Sequence, residues 1–339
     1  MTETAKAWKG NDADYPNETE PPQEDAIIGY KLLGYDFADD GVCFEVGKTY
    51  DKSESLSLDC RVDGFRFTPM TIFKLLDRCA ETLSLAGWCL NGKINKNTIR
   101  FALVSCDPAD LIGAPTDIAH TSKIKIVTEF SFEELVRIGI EHSFYKTSHD
   151  IIDNTIRSEL VSSENDIRLS SSRYKTIFAT CGDRVKLTSN DGVANFFATG
   201  ADTEITAYDK KAKIITSGPR PRLTTYGDFS LIAAGGDGAD ITVKGNYTNI
   251  NASGDKAKIT AVGERFNCTA SGKNSFIEIP GGFGTFKGIA GTVVQIASYN
   301  SVRERQEDMR AAIGENNVKP DTLYAAQNGK LIEVEAAND

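Results

Sequence analysis

A glycine or an aspartate returns at every ninth residue for a hundred residues. The series reads Gly182, Asp191, Gly200, Asp209, Gly218, Gly227, Gly236, Gly245, Gly254, Gly263, Gly272 and Gly281. With 29 glycines in 339 residues, an unpatterned chain would place about one glycine on those twelve positions. A fixed short period of this kind is the signature of a stacked repeat, and it constrains the fold more than any other feature of the chain.

Counting the glycine as position one, position six is apolar: Leu187, Phe196, Ile205, Ile214, Leu223, Ile232, Ile241, Ile250, Ile259, Cys268, Ile277 and Phe286. Positions four and eight are mostly small or β-branched, as in Val185, Ala194 and Ala212 or Ala198, Ala207 and Val243. A spacing of two between inward positions is strand periodicity. The glycine with its polar neighbour marks a turn, and Gly or Asp at position one is expected to supply left-handed backbone there. The register extends back through Arg173 and Glu164 without the glycine, and forward past a one-residue insertion to Gly291. About fifteen short strands then make a β-solenoid over residues 164–299. We read two repeats to a coil, which the period by itself does not prove. About seven coils at roughly 4.8 Å each make a rod near 35 Å long.

A related nonapeptide binds calcium through an Asp at position six. Here that position is apolar throughout, so no carboxylate is placed to ligate a hard cation, and neither cofactor nor metal is expected. The open ends of such a rod expose strand edges that must be capped.

The flanks divide as follows. Residues 1–25, with seven acidic and two basic residues, read as a disordered acidic tail. Residues 26–150 read as an α+β head domain. Its strands are expected over Ile27–Tyr35, Val42–Val46, Ile99–Ser105 and Lys123–Phe130. One helix is expected over Thr71–Ser84, and a second over Ser131–His142, where Ser131 and Glu134 stand in capping-box spacing. Residues 151–163 are a connector, expected as a helix over the first coil. Residues 300–339 form the C-terminal cap: a charged helix over Ser301–Gly314, then a hairpin about Asn328-Gly329. The fold class is thus mainly β, an α+β head followed by a nonapeptide-repeat β-solenoid and a helix/hairpin cap.

The net charge of −10 is not evenly spread. The rod carries 16 basic and 13 acidic residues, and the acidity lies in the head and the tails. Within the rod, cations gather at positions three and five. Lys175, Arg184, Lys186, Lys211, Lys213, Arg220, Arg222, Lys256, Lys258 and Arg265 make a candidate basic face for an acidic protein or a phosphate backbone. Against that stands a simpler role, in which Lys and Arg block edge-to-edge aggregation and pair with turn carboxylates such as Asp183, Asp228 and Asp237. Outward aromatic residues are few on this reading, which disfavours stacking of single-stranded nucleic acid.

The seven cysteines lack any C-x-x-C pair, so neither a disulfide framework nor a zinc site is indicated. No stretch is apolar enough to span a membrane, and the N-terminus lacks a signal-peptide pattern. His120, His142 and His149 show no ligand spacing and are read as surface or capping residues, and nucleotide-binding and hydrolase motifs are missing. No catalytic residue is assigned and the chain is read as non-enzymatic.

The stretch Cys43-Phe44-Glu45-Val46-Gly47-Lys48-Thr49-Tyr50, followed by Gly64-Phe65-Arg66-Phe67, resembles the C-x-x-F-x-Y-E-V-G-K-x-Y and G-F-H-F pattern that heads a family of phage and prophage proteins. In that family the domain is often followed by Gly-Asp nonapeptides. This chain departs at Arg66, where His is usual, and at position six, where Ile replaces Ala. The family has no established activity, so the resemblance implies a mobile-element context. It leads us to expect a phage-derived binding protein in the host cytoplasm, an oligomer that antagonises a host defence complex by protein–protein contact. The alternatives are a structural protein of the virion or its assembly, and an enzyme with its site in the head. Expected partners are host or phage protein complexes, with nucleic acid disfavoured and no membrane.

Overall fold

The computed structural model describes residues 26–33, 38–39, 42–52, 64–68, 100–113, 118–156, 158–190, 192–280, 283–300, 305–327 and 330–334. Within the head, β1 (Ile27–Leu33), β6 (Arg100–Cys106), β8 (Lys123–Phe130) and β4 (Thr49–Asp51) form one antiparallel sheet in the order β1-β6-β8-β4. Strands β2 (Ala38–Asp39) and β3 (Val42–Cys43) make a small pair, as do β5 (Phe65–Phe67) and β7 (Ala119–Thr121). Leu33, Phe44, Phe65, Phe67, Val104, Ile124 and Ile126 pack into one core. Helix α1 (Phe132–Glu141) starts where its capping box predicts. The Ser131 N–H donates to Glu134 Oε2 at 2.8 Å and the Glu134 N–H to Ser131 Oγ at 3.2 Å, which satisfies two otherwise unpaired donors. The helix expected over 71–84 lies outside the described residues.

The solenoid runs from β9 (Ile151–Asn154) and β10 (Glu159–Ser162), through β11 (Arg168–Ser171) to β23 (Phe276–Ile279), to β24 (Gly284–Gly288) and β25 (Val293–Asn300). Odd-numbered strands form one parallel sheet and even-numbered strands the other. Partners stand eighteen residues apart, as Leu169 with Leu187 and Ile250 with Cys268. Two repeats therefore close one coil, and there are about eight coils over residues 151–296. The connector is not a helix: β9 and β10 are themselves the first coil. Just ahead of them, the Thr147 N–H donates to the Val161 carbonyl at 3.0 Å and continues the second sheet.

Position six fills the interior from both sheets, from Leu160 and Leu169 to Phe286, all but inaccessible to solvent. In the last coil Val294, not Ile296, stands opposite Ile277, so the chain there is one residue short of the eighteen-residue spacing and the insertion expected before Gly291 does not hold. Phe178 and Phe196 stack at 4.7 Å, one coil apart. The polar members of position four up to Ser275 are satisfied locally, whereas the buried Thr292 hydroxyl, two residues before Val294, has no partner among the described residues. Thr203, Ser230 and Ser275 each donate to the position-one carbonyl three residues back, at 3.0, 2.9 and 2.9 Å. Their burial therefore leaves no unpaired hydroxyl.

At the turns the expected division of labour is reversed. Left-handed backbone belongs to position three, where Asp166, Lys175, Arg184, Asp202, Lys211, Arg220, Phe229, Tyr247, Lys256 and Arg265 have φ between 55° and 63°. Glycine at position one answers a different constraint. A Cβ on Gly236 would sit 1.8 Å from the Gly218 carbonyl oxygen, and one on Gly245 2.0 Å from that of Gly227. The coils pack so closely there that only hydrogen fits. Side chains in the left-handed conformation cost roughly 1 kcal/mol each. The offset comes from coil-to-coil bonding, in which the position-three N–H donates to the next coil's position-two carbonyl, as Arg184 to Ala201 at 2.8 Å.

The last coil is covered by strands. β26 (Arg305–Ala312) pairs antiparallel with β25 along all eight residues, from Val293 opposite Ala312 to Asn300 opposite Arg305. The charged helix expected over 301–314 is thus a strand in the structure. The open edge of β25 needs a partner more than an isolated charged segment needs its helix, and Met309 and Ile313 turn toward the rod interior. The hairpin is present as β27 (Tyr324–Gln327) and β28 (Lys330–Glu333), with β27 antiparallel to β24.

Candidate functional surface

The two sheets give the rod two edges, each a stack of turns of one kind. Turns leading into the first sheet hold Asp166, Arg184, Asp202, Arg220, Gly238 and Lys256 at position three. Here the side chains pair along the stack. Arg184 grips Asp166 through Nε and an Nη at 2.6 and 2.7 Å, and Arg220 grips Asp202 at 2.8 and 2.7 Å. Each charge-assisted fork holds its aspartate below the usual carboxylate range and raises the arginine. All four side chains are solvent-exposed, so the pairs add little stability. Lys186 pairs with Glu204 at 2.7 Å on the adjoining sheet face, and Arg222 stands between Glu204 and Asp240 in register. Arg184, Lys186, Asp202, Glu204, Arg220 and Arg222 line a shallow depression. From Lys186 on, signs alternate coil by coil along the sheet, which avoids like charges directly opposite; Arg168 opposite Lys186 is the exception.

Among the described residues the turn carboxylates Asp183, Asp228 and Asp237 form no ion pair with these cations. They bond to backbone one coil on: Asp183 Oδ1 accepts the Ala201 N–H at 2.8 Å, and Asp228 Oδ1 that of Asn246 at 2.9 Å.

The other edge, formed by turns leading out of the first sheet, differs in kind. Among the described rod residues from 164 on, every exposed large apolar side chain lies on it: Tyr174, Tyr208, Tyr226, Phe229, Tyr247, Val262 and Phe283. Tyr208 and Tyr226 stack at 4.7 Å with 14° between planes, and Phe229 and Tyr247 at 5.0 Å with 8°. Cations lie against the rings instead of against carboxylates. Lys244 sits 4.6 Å from the Tyr226 centroid and Arg265 5.3 Å from that of Tyr247, with an Arg265 guanidinium N–H donating to the Tyr247 hydroxyl at 2.9 Å. Outward aromatic residues are therefore not scarce, but gathered along one line.

The ten candidate basic residues do not form one face. Arg184, Arg220 and Lys256 lie on the ion-paired edge, with Lys186, Arg222 and Lys258 on the first sheet beside it. Lys175, Lys211 and Arg265 lie on the aromatic edge, and Lys213 on the outer face of the second sheet. That outer face is itself mostly covered: the outward position-seven residues Val161, Ala179, Phe197, Ile215 and Ala233 are buried.

In the head, the two motifs that carry the resemblance meet in the core. Phe44 packs edge-on against Phe65 at 5.9 Å and against Tyr50 at 4.8 Å. The Tyr50 hydroxyl accepts the Glu45 N–H at 2.7 Å, and Gly47 turns the chain at φ 85°. These residues build a turn and a core contact. Arg66 stands opposite His120 across β5 and β7, and burial together with that arginine lowers the His120 pKa. His149 holds Thr147 Oγ1 at 3.1 Å. Among the described residues no three His, Cys, Asp or Glu side chains converge as a metal site, and no helix is long and apolar enough to cross a membrane. No family model, curated protein or solved structure matches the chain.

Proposed function

We propose that the chain is a non-enzymatic binding protein whose rod docks on a protein partner along the aromatic edge. In the mobile-element context that the resemblance implies, the partner is a host defence complex, antagonised by occupation of its surface. The segregation of exposed aromatic side chains to one edge supports this reading. Seven exposed large side chains on one line of turns, held in left-handed backbone at Phe229 and Tyr247, sacrifice stability without filling any core. Tyr, Phe and Arg are also the residue types that dominate protein interfaces.

The test is affinity capture from infected host cells with the wild-type chain beside Tyr226→Ser/Tyr247→Ser. The expected result is a host nuclease complex retained by the wild type and lost by the variant. Recovery of capsid and tail proteins alone, with both chains, would overturn the reading in favour of a virion role.

A further inference from the structure

We infer that the segment received by the aromatic edge is acidic, with carboxylates interleaved among apolar anchors. This rests on the docking reading above and adds the partner's chemistry. Three observations carry it.

The first is how the cations are neutralised. On the opposite edge Arg184 and Arg220 are each forked onto an aspartate, and exposed Lys256 and Lys273 share their line of turns with Asp183, Asp237 and Asp255, so little net positive charge is left there. On the aromatic edge Lys175, Lys244 and Arg265 lie over tyrosine rings at 5.6, 4.6 and 5.3 Å. A ring face orients a cation without cancelling it. Lys210 and Lys211 are exposed and form no ion pair among the described residues. Among the described residues the carboxylates that reach solvent in these turns, Asp228 and Glu264, are outnumbered by Lys175, Lys210, Lys211, Lys244 and Arg265.

The second is the orientation of the rings. Tyr208 and Tyr226 cover each other's faces, as do Phe229 and Tyr247, and Lys244 and Arg265 cover the next. Both faces of Tyr226 and Tyr247 are thus taken, and the stacks leave a nucleobase only the end faces of Tyr208 and Phe229. What projects is the rim, the positive part of the aromatic quadrupole, together with the phenol hydroxyls. Rim and cation alike favour carboxylate oxygen.

The third is rigidity. The turn backbones are bonded from coil to coil, Phe229 N–H to the Asn246 carbonyl at 2.8 Å and Tyr247 N–H to that of Glu264 at 2.9 Å. A partner would order little on docking, which removes part of the usual cost of association.

The experiment measures fluorescence anisotropy of labelled probes with the full chain. The probes are a peptide of about 12 residues built on Glu-Glu-Phe, its Lys-Lys-Phe counterpart, and oligothymidylate of similar length. The acidic peptide is expected to bind at least about tenfold tighter than the basic one and to weaken as salt rises. Tyr226→Ser/Tyr247→Ser and, separately, Lys211→Glu/Lys244→Glu/Arg265→Glu should each abolish that binding while melting like the wild type. Equal binding of both peptides, still lost in the tyrosine variant, would overturn the acidic partner and leave the docking edge standing. Binding that survives the tyrosine variant, or none by the wild type, would overturn both. Tighter binding of oligothymidylate than of the acidic peptide would make nucleic acid the occupant and overturn both as well.

Discussion

The carboxylate of Asp237 accepts the backbone N–H of Asp255 at 2.8 Å, and Asp255 in turn accepts that of Lys273 at 2.7 Å. On the ion-paired edge, Asn165 and Asp183 repeat the arrangement at earlier coils. On the other edge Asp228 and Asn246 do the same. Where position two is Asp or Asn, the next turn on that edge thus borrows its side-chain acceptor, whereas Ala201 and Pro219 offer none. Asp237→Ala removes one rung and leaves the Asp255 N–H to water, which should lower stability by about 1 kcal/mol. Asp237→Asn, keeping the acceptor, should melt like the wild type. Thermal melts of the three chains at one ionic strength decide it.

Gly236 and Gly238 lie in the same turn and should respond in opposite ways. Alanine at 236 forces a methyl onto the Gly218 carbonyl and should cost about 2 to 3 kcal/mol. Asparagine at 238 enters a left-handed site with φ 70° whose nearest neighbour is the Arg220 Cγ at 3.3 Å. Asp, Asn, Lys and Arg occupy equivalent places elsewhere, so its effect should stay under about 1 kcal/mol. Chemical denaturation of both variants measures the difference.

Acid should weaken the ion-paired edge in a definite window. The folded-state pKa values of Asp166 and Asp202 lie below the ordinary carboxylate value, chiefly because of their forks with Arg184 and Arg220. Their contribution is complete above that ordinary value and disappears as pH falls through the lowered one. Asp202→Asn should therefore lose a little stability at neutral pH and show a shallower decline on acidification. Melts between neutral pH and the acid limb, at low salt, test the sign. High salt should shrink the effect, since both partners are exposed.

Cys268 stands in the apolar column between Ile250 and Phe286, and burial pushes its thiol up to about 12. It should resist alkylation at mildly alkaline pH in the folded chain and react once the rod is unfolded, because the thiolate is the nucleophile. Exposed Cys43 is the internal comparison. Peptide mapping after a timed iodoacetamide pulse reads both sites, and early modification of Cys268 would refute its placement in the interior.

The nine-residue period, the inward columns and the α1 capping box were all legible in the sequence, because each is set by neighbours close in the chain. The eighteen-residue alternation within that period was legible too, but in columns the nine-residue alignment merges. At position seven Thr188, Thr206, Thr224, Thr242 and Thr260 alternate with Ala179, Phe197, Ile215 and Ala233, an exposed sheet face against a covered one. Asp166 with Arg184, and Asp202 with Arg220, mark the same doubling. The aromatic edge escaped notice because its rings occur at positions nine, two and three of different repeats and meet only when coils are stacked. Arg305–Ala312 misled through its charge pattern. The weaker period-two signal of Met309, Ala311 and Ile313 was the one that tertiary pairing obeyed.

Closure of one coil by two nonapeptides makes eighteen residues the smallest length the rod can gain or lose without consequence. Inserting a pair of repeats adds a layer and leaves every later side chain on its own side. Inserting a single repeat would move everything beyond it by half a turn, carrying the tyrosines to the edge where the arginines stand and exposing the Phe197 column. Variation in rod length among descendants of such a gene is therefore quantised, and an odd number of added repeats exchanges the two edges.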